Sequence, residues 1–142
     1  MRIKAKMNFL ELAKDGLEHP GLGPGAEYFV LEVDYESYRV VDNDGEAALY
    51  PKVLFEVLDR TVPAGWQLSE YADGVYYLEP RCTAKPGFYE DWHGSDGDLV
   101  AQATNRQILH DELVRMAVES DSAEDKRLIR ETLLRLRMGN SH

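Results

Sequence analysis

Apolar residues near the N-terminus recur at a spacing of three to four, which is typical of one face of a helix. They predict a short helix over about residues 8–17, with Asn8 in position to cap its start. The Pro- and Gly-rich residues 20–25 prevent the helix from continuing. The pattern therefore predicts a helix followed by a linker over residues 1–26.

Between residues 27 and 80 the pattern changes to the alternation and β-rich composition of strands. A first strand is predicted at Tyr28–Val33, and two hairpins follow it. The predicted hairpins are Tyr38–Val41 with Glu46–Tyr50, joined at Asp42–Gly45, and Trp66–Tyr71 with Val75–Leu78, joined at Ala72–Gly74. Because Asp-Gly between alternating runs is among the strongest hairpin signals, an antiparallel sheet is expected here.

Residues 81–97 lose this periodicity and carry several Pro and Gly residues, which predicts a long loop. Helical spacing returns over residues 98–139 and predicts a pair of helices. The segment Ser122-Ala-Glu-Asp125 is a variant of the capping box and marks the start of the second helix. The apolar stripe of that helix comprises Leu128, Ile129, Leu133 and Leu136.

Residues 45–59 read Gly-Glu-Ala-Ala-Leu-Tyr-Pro-Lys-Val-Leu-Phe-Glu-Val-Leu-Asp. Pro51 blocks strand pairing, so it ends one strand and lets the chain turn a corner. The aromatic-Pro pair Tyr50-Pro51 followed by the acidic-Val-aliphatic run Glu56–Leu58 resembles the closing segment of SH3 domains. The resemblance implies a one-turn 3₁₀ helix between two strands and a small SH3-like barrel.

Leu54 stands at the position of the tyrosine in the SH3 groove, so the resemblance implies the fold and not recognition of proline-rich peptides. A curled sheet with acidic loops and a helical tail also resembles small bacterial proteins of unknown function, some of which are immunity partners of toxins. The expected fold is α+β. It comprises a strongly twisted antiparallel sheet, partly closed like an SH3 barrel, a short N-terminal helix and two C-terminal helices. At 142 residues the chain fits a single domain over 1–142.

Acidic and aromatic residues are concentrated in the predicted β region and the loop after it. Of the 14 aromatic residues, 13 lie between Tyr28 and Trp92. Residues 27–98 contain 16 Asp and Glu against five Lys and Arg, and the whole chain has a formal net charge of −10. Such a surface repels nucleic acid and anionic membranes and favours a basic protein partner.

Cys82 is the only cysteine, so no disulfide can form within the chain. A catalytic thiol is not favoured, because single cysteines usually behave as small apolar residues. No run of 18 apolar residues is present, and no signal-peptide core follows Arg2, Lys4 and Lys6. These features predict a cytoplasmic protein.

The predicted loop contains the densest set of side chains suited to chemistry or recognition. Aromatic rings beside carboxylates are typical of protein-binding surfaces. The predicted binding residues are Tyr89, Glu90, Asp91, Trp92, His93 and Asp96. The same oxygen and imidazole groups could hold a metal ion, or His93 could act as a base. Because no second His or Cys pair and no nucleophile motif accompanies them, neither a cofactor nor a catalytic residue is assigned.

The leading interpretation is a non-catalytic protein that binds a basic partner through an acidic, aromatic surface. Its most concrete form is an immunity protein that neutralises a basic toxin. One alternative is a small metal-dependent hydrolase centred on residues 88–98. Another is an oligomerising structural subunit of a phage or secretion assembly that uses exposed strand edges. The sequence favours no particular oligomeric state.

Overall fold

The computed structural model describes residues 1–12, 21–93 and 99–139, with the backbone alone at 91–93 and 137–139. The described elements are α+β, as the sequence predicts, with two antiparallel sheets and four α-helices. The strands are β1 (Arg2–Ala5), β2 (Glu27–Phe29), β3 (Glu32–Asp34), β4 (Ser37–Val41), β5 (Ala47–Pro51), β6 (Phe55–Asp59), β7 (Trp66–Glu70) and β8 (Tyr76–Pro80). The α-helices are α1 (Phe9–Leu12), α2 (Phe88–His93), α3 (Leu99–Glu119) and α4 (Ala123–Gly139).

The chain crosses three times between the two sheets, after β2, after β5 and after β6. Sheet A has the strand order β2-β1-β6, and sheet B has the order β5-β4-β3-β8-β7. At the first crossing the Val30 N–H donates to the Met1 carbonyl at 3.1 Å, and the Leu31 N–H donates to the Arg39 carbonyl at 2.8 Å. The second crossing joins β5 to β6. The described sheets are not closed into a barrel, so the predicted SH3-like closure is not confirmed.

The second crossing has the local structure that the sequence predicts. β5 ends at Pro51, a one-turn 3₁₀ helix covers Lys52–Leu54, and β6 begins at Phe55. The Leu54 side chain is fully buried in the core. This segment therefore serves as a corner between sheets.

Both predicted hairpins are confirmed. β4 pairs with β5 and β7 pairs with β8, each antiparallel. In the second turn Asp73 has φ of 64° and Gly74 has φ of 77°, a left-handed conformation that Asp-Gly adopts at low cost. The two hairpins account for four of the five strands of sheet B.

The N-terminal prediction is wrong in part, because residues 2–5 form the central strand of sheet A. Arg2 and Lys4 alternate with the buried Ile3 and Ala5, a two-residue period too short to be recognised as a strand in the sequence. The predicted helix over residues 8–17 is present at Phe9–Leu12, and its remaining residues lie outside the described part of the chain. The predicted first strand is also divided, into β2 and β3.

The predicted loop over residues 81–97 is corrected by the structure. A one-turn 3₁₀ helix covers Arg81–Thr83, and α2 follows at Phe88–His93. Phe88 is buried, and the Asn105 side-chain amide donates to its carbonyl at 2.9 Å. Six residues cannot display a helical period, so contacts with α3 determine this helix.

Two buried clusters hold the elements together. The first cluster contains buried residues of both sheets. Because successive side chains of a strand point to opposite faces, Tyr28 lies in the first cluster and its neighbour Phe29 lies in the second. The second cluster packs β2, β4 and β5 against α2, α3 and α4. Its largest helical members are Leu109, Leu113, Met116, Leu128, Ile129 and Leu136.

The two C-terminal helices are confirmed. The Ser122 hydroxyl accepts the Asp125 N–H at 3.2 Å, so Ser122 caps α4 as predicted. Leu128, Ile129 and Leu136 of the predicted stripe are buried, whereas Val100 at the start of α3 is exposed. None of the helices in the described ranges is long and apolar enough to cross a membrane.

Candidate functional site

A cleft of about 420 Å³ lies where sheet B meets the segment that leads into α2. Residues of β3, β4 and β8 and of the β7–β8 hairpin form its floor, and residues 83–90 form its wall. We call it the acidic cleft, since four of its lining residues are carboxylates. They are Glu32, Asp34, Glu79 and Glu90.

A second groove, of about 350 Å³, lies between residues 59–64 and the turn that joins α3 to α4. Its floor is apolar, with Phe29, Met116 and Ile129, and its charged rim includes Arg115, which pairs with acids of its own helix. The acidic cleft is the better candidate because it contains both of the predicted binding residues whose side chains are described, Tyr89 and Glu90.

Strand alternation collects charged groups on the floor of the acidic cleft. Successive side chains of a strand point to opposite faces, so Glu32 and Asp34 share one face while Val33 joins the first core cluster. Cross-strand pairing places Arg39 opposite Glu32 and Tyr77 opposite Asp34. The floor is therefore the polar face of a sheet whose other face lies in the core.

Arg39 links the floor to the wall. Its Nε donates to Glu32 Oε1 at 2.8 Å, and its Nη1 donates to the Ala47 carbonyl at 2.7 Å. Its guanidinium lies 3.8 Å from the centre of the Tyr89 ring. These contacts fix the guanidinium from three sides, which makes Arg39 a rigid part of the site.

Glu79 is the most strongly perturbed carboxyl of the acidic cleft. Its side chain is 8% exposed, and in the described ranges it forms no ion pair with Lys, Arg or His. Burial raises the pKa of Glu79 to about 8, helped by a hydrogen bond to Glu32 and the charge of that residue and opposed by Arg39. The raised pKa favours the protonated form of the Glu79 carboxyl at neutral pH, and a protonated carboxyl can donate a hydrogen bond to Glu32.

Asp34 has a structural task in the floor. Its Oδ1 accepts the N–H groups of Glu36 at 2.9 Å and Ser37 at 2.6 Å. These bonds fix the turn between β3 and β4, which leaves Tyr35 half-exposed at its tip.

The open rim of the acidic cleft is aromatic. Tyr71 is 63% exposed, and its ring meets that of Tyr77 edge to face, with centres 5.9 Å apart. Lys85 and Glu90 are exposed on the wall opposite. Tyrosine faces above buried carboxylates are suited to binding a cationic group.

The predicted binding residues occupy different positions. Tyr89 is buried beneath the wall, and burial raises its pKa well above the usual range. Glu90 is exposed at the edge of the acidic cleft. The backbone of Asp91, Trp92 and His93 continues α2, and Asp96 lies outside the described residues.

Sequence reasoning did not identify Glu32, Arg39, Tyr71, Tyr77 or Glu79 as site residues. The charged residues stand at every second position of strands, a pattern that is read as a solvated face. One signal was present, since Tyr71, Tyr76 and Tyr77 form the densest group of tyrosines in the chain. Packing of residues 83–90 over that face turns it into a cleft.

The Cys82 thiol, outside the acidic cleft, is not activated. The Cys82 thiol lies 3.6 Å from Glu112 Oε2, and burial and that carboxylate raise the pKa of Cys82 to about 11. The thiol is therefore protonated at neutral pH and is a weak nucleophile. Among the residues described, no group of three or more His, Cys, Asp or Glu is arranged to hold a metal ion.

Comparison with protein-family models, with curated proteins and with solved structures finds no match to this chain. The function of the acidic cleft is therefore inferred from its own side chains.

Proposed function

We propose that this protein is a non-catalytic binding protein whose acidic cleft receives a basic segment of a protein partner. One observation carries the proposal: the exposed Tyr71 ring, the half-buried Tyr77 ring and buried carboxylates line the same concave surface. Tyrosine supplies rigid contact area, and carboxylates supply complementary charge. Neutralisation of a basic toxin by an immunity protein is the most concrete form of this function.

The predicted residues have different tasks in this proposal. Glu90 contacts the partner directly from the edge of the acidic cleft. The predicted binding residues Asp91, Trp92, His93 and Asp96 remain part of the proposed contact with the partner. Tyr89 acts from below, because its ring supports the Arg39 guanidinium that organises the floor.

The charge of the whole chain supports the same function. A net charge of −10 attracts a basic partner over distances set by the ionic strength. Association is expected to be fast at low salt and to weaken as salt increases.

We also propose that the β region is related to SH3-like folds. The order of β5, Pro51, a 3₁₀ turn and β6 supports this relation. The buried Leu54 gives the present chain no proline-peptide groove at that corner, so the partner surface is assigned to the acidic cleft instead.

The test is affinity capture from a lysate of the native host with three immobilised proteins. They are the wild type, a Glu90→Lys variant of the acidic cleft, and a Glu56→Lys variant on the exposed surface of β6. The two variants have the same change in net charge, so they differ only in its position. The dissociation constant of the captured protein is then measured with each variant.

We expect one basic protein to bind at low salt and to be released by a high-salt wash. Glu90→Lys should weaken its binding about tenfold, since like charges at an interface are strongly unfavourable. Glu56→Lys should leave the affinity within about twofold, as expected for a charge far from the contact. Equal binding by all three proteins, or capture of no basic protein, would refute the proposal.

A further inference from the structure

The charges at the bottom of the acidic cleft do not balance. Glu32, Asp34 and Glu79 are each more than nine-tenths buried, and in the described part of the cleft Arg39 is the one buried cation facing them. Arg39 is bonded to Glu32, and Asp34 is bonded to backbone N–H groups. Glu79 thus has a second carboxyl group, Glu32, as its hydrogen-bonding neighbour, an arrangement that needs a proton or an added cation.

Each element around Glu79 contributes groups that determine its protonation. β3 contributes the Glu32 carboxylate and β4 contributes the Arg39 guanidinium, while α2 contributes the Glu90 carboxylate. The buried Tyr89 hydroxyl also faces the pair, and Lys85 lies exposed at the mouth of the acidic cleft. Carboxyl groups outnumber cations in this set, so an entering cation would be favoured.

The shape of the site favours a guanidinium over an ammonium. Two neighbouring carboxyl groups offer several acceptor oxygens to a planar group with five N–H donors. The rings of Tyr71 and Tyr77 at the rim provide surfaces on which a guanidinium can stack. An ammonium would use neither the fork nor the stacking surface as fully.

We propose that the acidic cleft binds an arginine side chain of the basic partner and that its guanidinium replaces the proton shared by Glu32 and Glu79. This inference rests on the proposed function and specifies what the acidic cleft recognises. On binding, the Glu79 O–H bond breaks, its proton passes to solvent, and the carboxylate accepts hydrogen bonds from the guanidinium. No other bond changes.

Proton release makes the affinity depend on pH. Arginine itself does not titrate near neutrality, so the exchanged proton comes from the protein. Below the pKa of Glu79, which is about 8, the affinity should rise with pH by up to about tenfold per unit, and above it the affinity should level off. The acidic cleft would therefore bind its partner more tightly in mildly alkaline than in mildly acidic solution.

The experiment uses a hexa-arginine peptide with blocked termini, titrated calorimetrically into the full chain at low salt. Measurement in two buffers of different ionisation enthalpy counts the protons released on binding. At about pH 6.5 we expect close to one proton per bound peptide, and at about pH 9 close to none. A hexa-lysine peptide should bind more weakly and should release fewer protons.

The matched variants are Glu79→Gln and Glu90→Gln, which remove one carboxyl each from the bottom and from the edge of the acidic cleft. Glu79→Gln should abolish proton release. Glu90→Gln should weaken binding but leave proton release unchanged. Histidine titration would persist in Glu79→Gln, so this variant distinguishes the two sources of protons. Circular dichroism verifies that the variants fold. The number of protons released by the wild type is measured without any variant, so it tests the inference even if a variant fails to fold.

The outcomes separate this inference from the proposed function. Wild-type binding that is weakened by Glu90→Lys, but releases no proton at about pH 6.5, would overturn the inference and leave the function standing. Proton release that persists in a folded Glu79→Gln variant would also overturn the inference and leave the proposed function standing. No binding of hexa-arginine would overturn the inference alone, whereas partner binding that Glu90→Lys and Glu56→Lys weaken equally would overturn both.

Discussion

Glu79 gives the stability of this fold an unusual dependence on pH. The folded state keeps on this carboxyl a proton that the unfolded chain releases near its ordinary pKa of 4.5. Because the folded state binds more protons between about pH 4.5 and about 8, stability should fall as the pH rises through that range. The free energy of unfolding falls by at most about 1.4 kcal/mol for each unit by which the folded-state pKa exceeds the unfolded one.

The Glu79→Gln variant should remove this dependence. We expect it to be more stable than the wild type by about 1–2 kcal/mol at about pH 9 and similar to it at about pH 5. Urea denaturation of both proteins at several pH values provides the measurement. Parallel curves for the two proteins would contradict the assignment of the proton to Glu79.

Gly21 is required by a close approach of side chains. A Cβ atom there would lie 2.6 Å from Asp42 Oδ2 and 2.7 Å from the Tyr50 hydroxyl, two groups hydrogen-bonded to each other at 2.7 Å. Gly21→Ala should break this buried bond and lower the free energy of unfolding by about 1–3 kcal/mol. Gly23→Ala is the control, since its Cβ would meet the nearest atom, Ala26 Cβ, at 3.4 Å. Thermal denaturation should show a large loss for the first variant and a small one for the second.

At the scale of residues, the sequence points to only one side of the acidic cleft. Tyr89 and Glu90 were predicted because aromatic and acidic residues adjoin in the chain. Glu32 and Glu79 are 47 positions apart in the sequence, and only the pairing of β3 with β8 brings their strands together. No pattern in a single sequence reports that pairing, so the carboxyl pair could not have been predicted.

At the scale of elements, α2 depends on one buried side chain of α3. The Asn105 amide donates to the Phe88 carbonyl at 2.9 Å. Asn105→Ala should lower the free energy of unfolding by about 1–2 kcal/mol, because the buried Phe88 carbonyl loses the side-chain donor that ties α2 to α3. Amide hydrogen exchange should accelerate most over residues 88–90.

The control for that variant is Gln107→Ala, which removes an exposed amide bonded to Asp111 at 2.8 Å on the same helix. It should change stability by less than about 0.5 kcal/mol. If the two variants exchanged at the same rate over residues 88–90, Asn105 would not be the anchor of α2.

Elements with their own local signals were predictable, and elements fixed by distant contacts were not. The Asp73-Gly74 turn and the Ser122 cap each determine the structure of a few adjoining residues, so the hairpin and α4 follow from them. β1 and α2 span four and six residues. Segments this short contain too few residues to show a hydrophobic period. Contacts with partners elsewhere in the chain therefore decide the structure of β1 and α2.

At the scale of the whole molecule, acidic self-repulsion opposes folding. With a net charge of −10, the compact state concentrates negative charge that added salt screens. Raising NaCl from about 0.05 M to about 0.5 M should therefore raise Tm by about 3 °C. Potassium chloride should act equally, since screening depends on ionic strength. A lower Tm at high salt would mean that ion pairs such as Arg2–Asp125 outweigh the repulsion.

The sequence separations between paired strands also predict an order of folding. β4 and β5, like β7 and β8, pair across short turns, whereas β1 at residues 2–5 must find β6 at residues 55–59. Short loops close before long ones, so the two hairpins of sheet B should form early, whereas sheet A and the pairing of β3 with β8 should form late. In pulse-labelled hydrogen exchange, amides of the two hairpins should be protected before those of Ile3 and Val57. A refolding or newly made chain would thus form its hairpins first and would bring Glu32 and Glu79 together only when β3 pairs with β8.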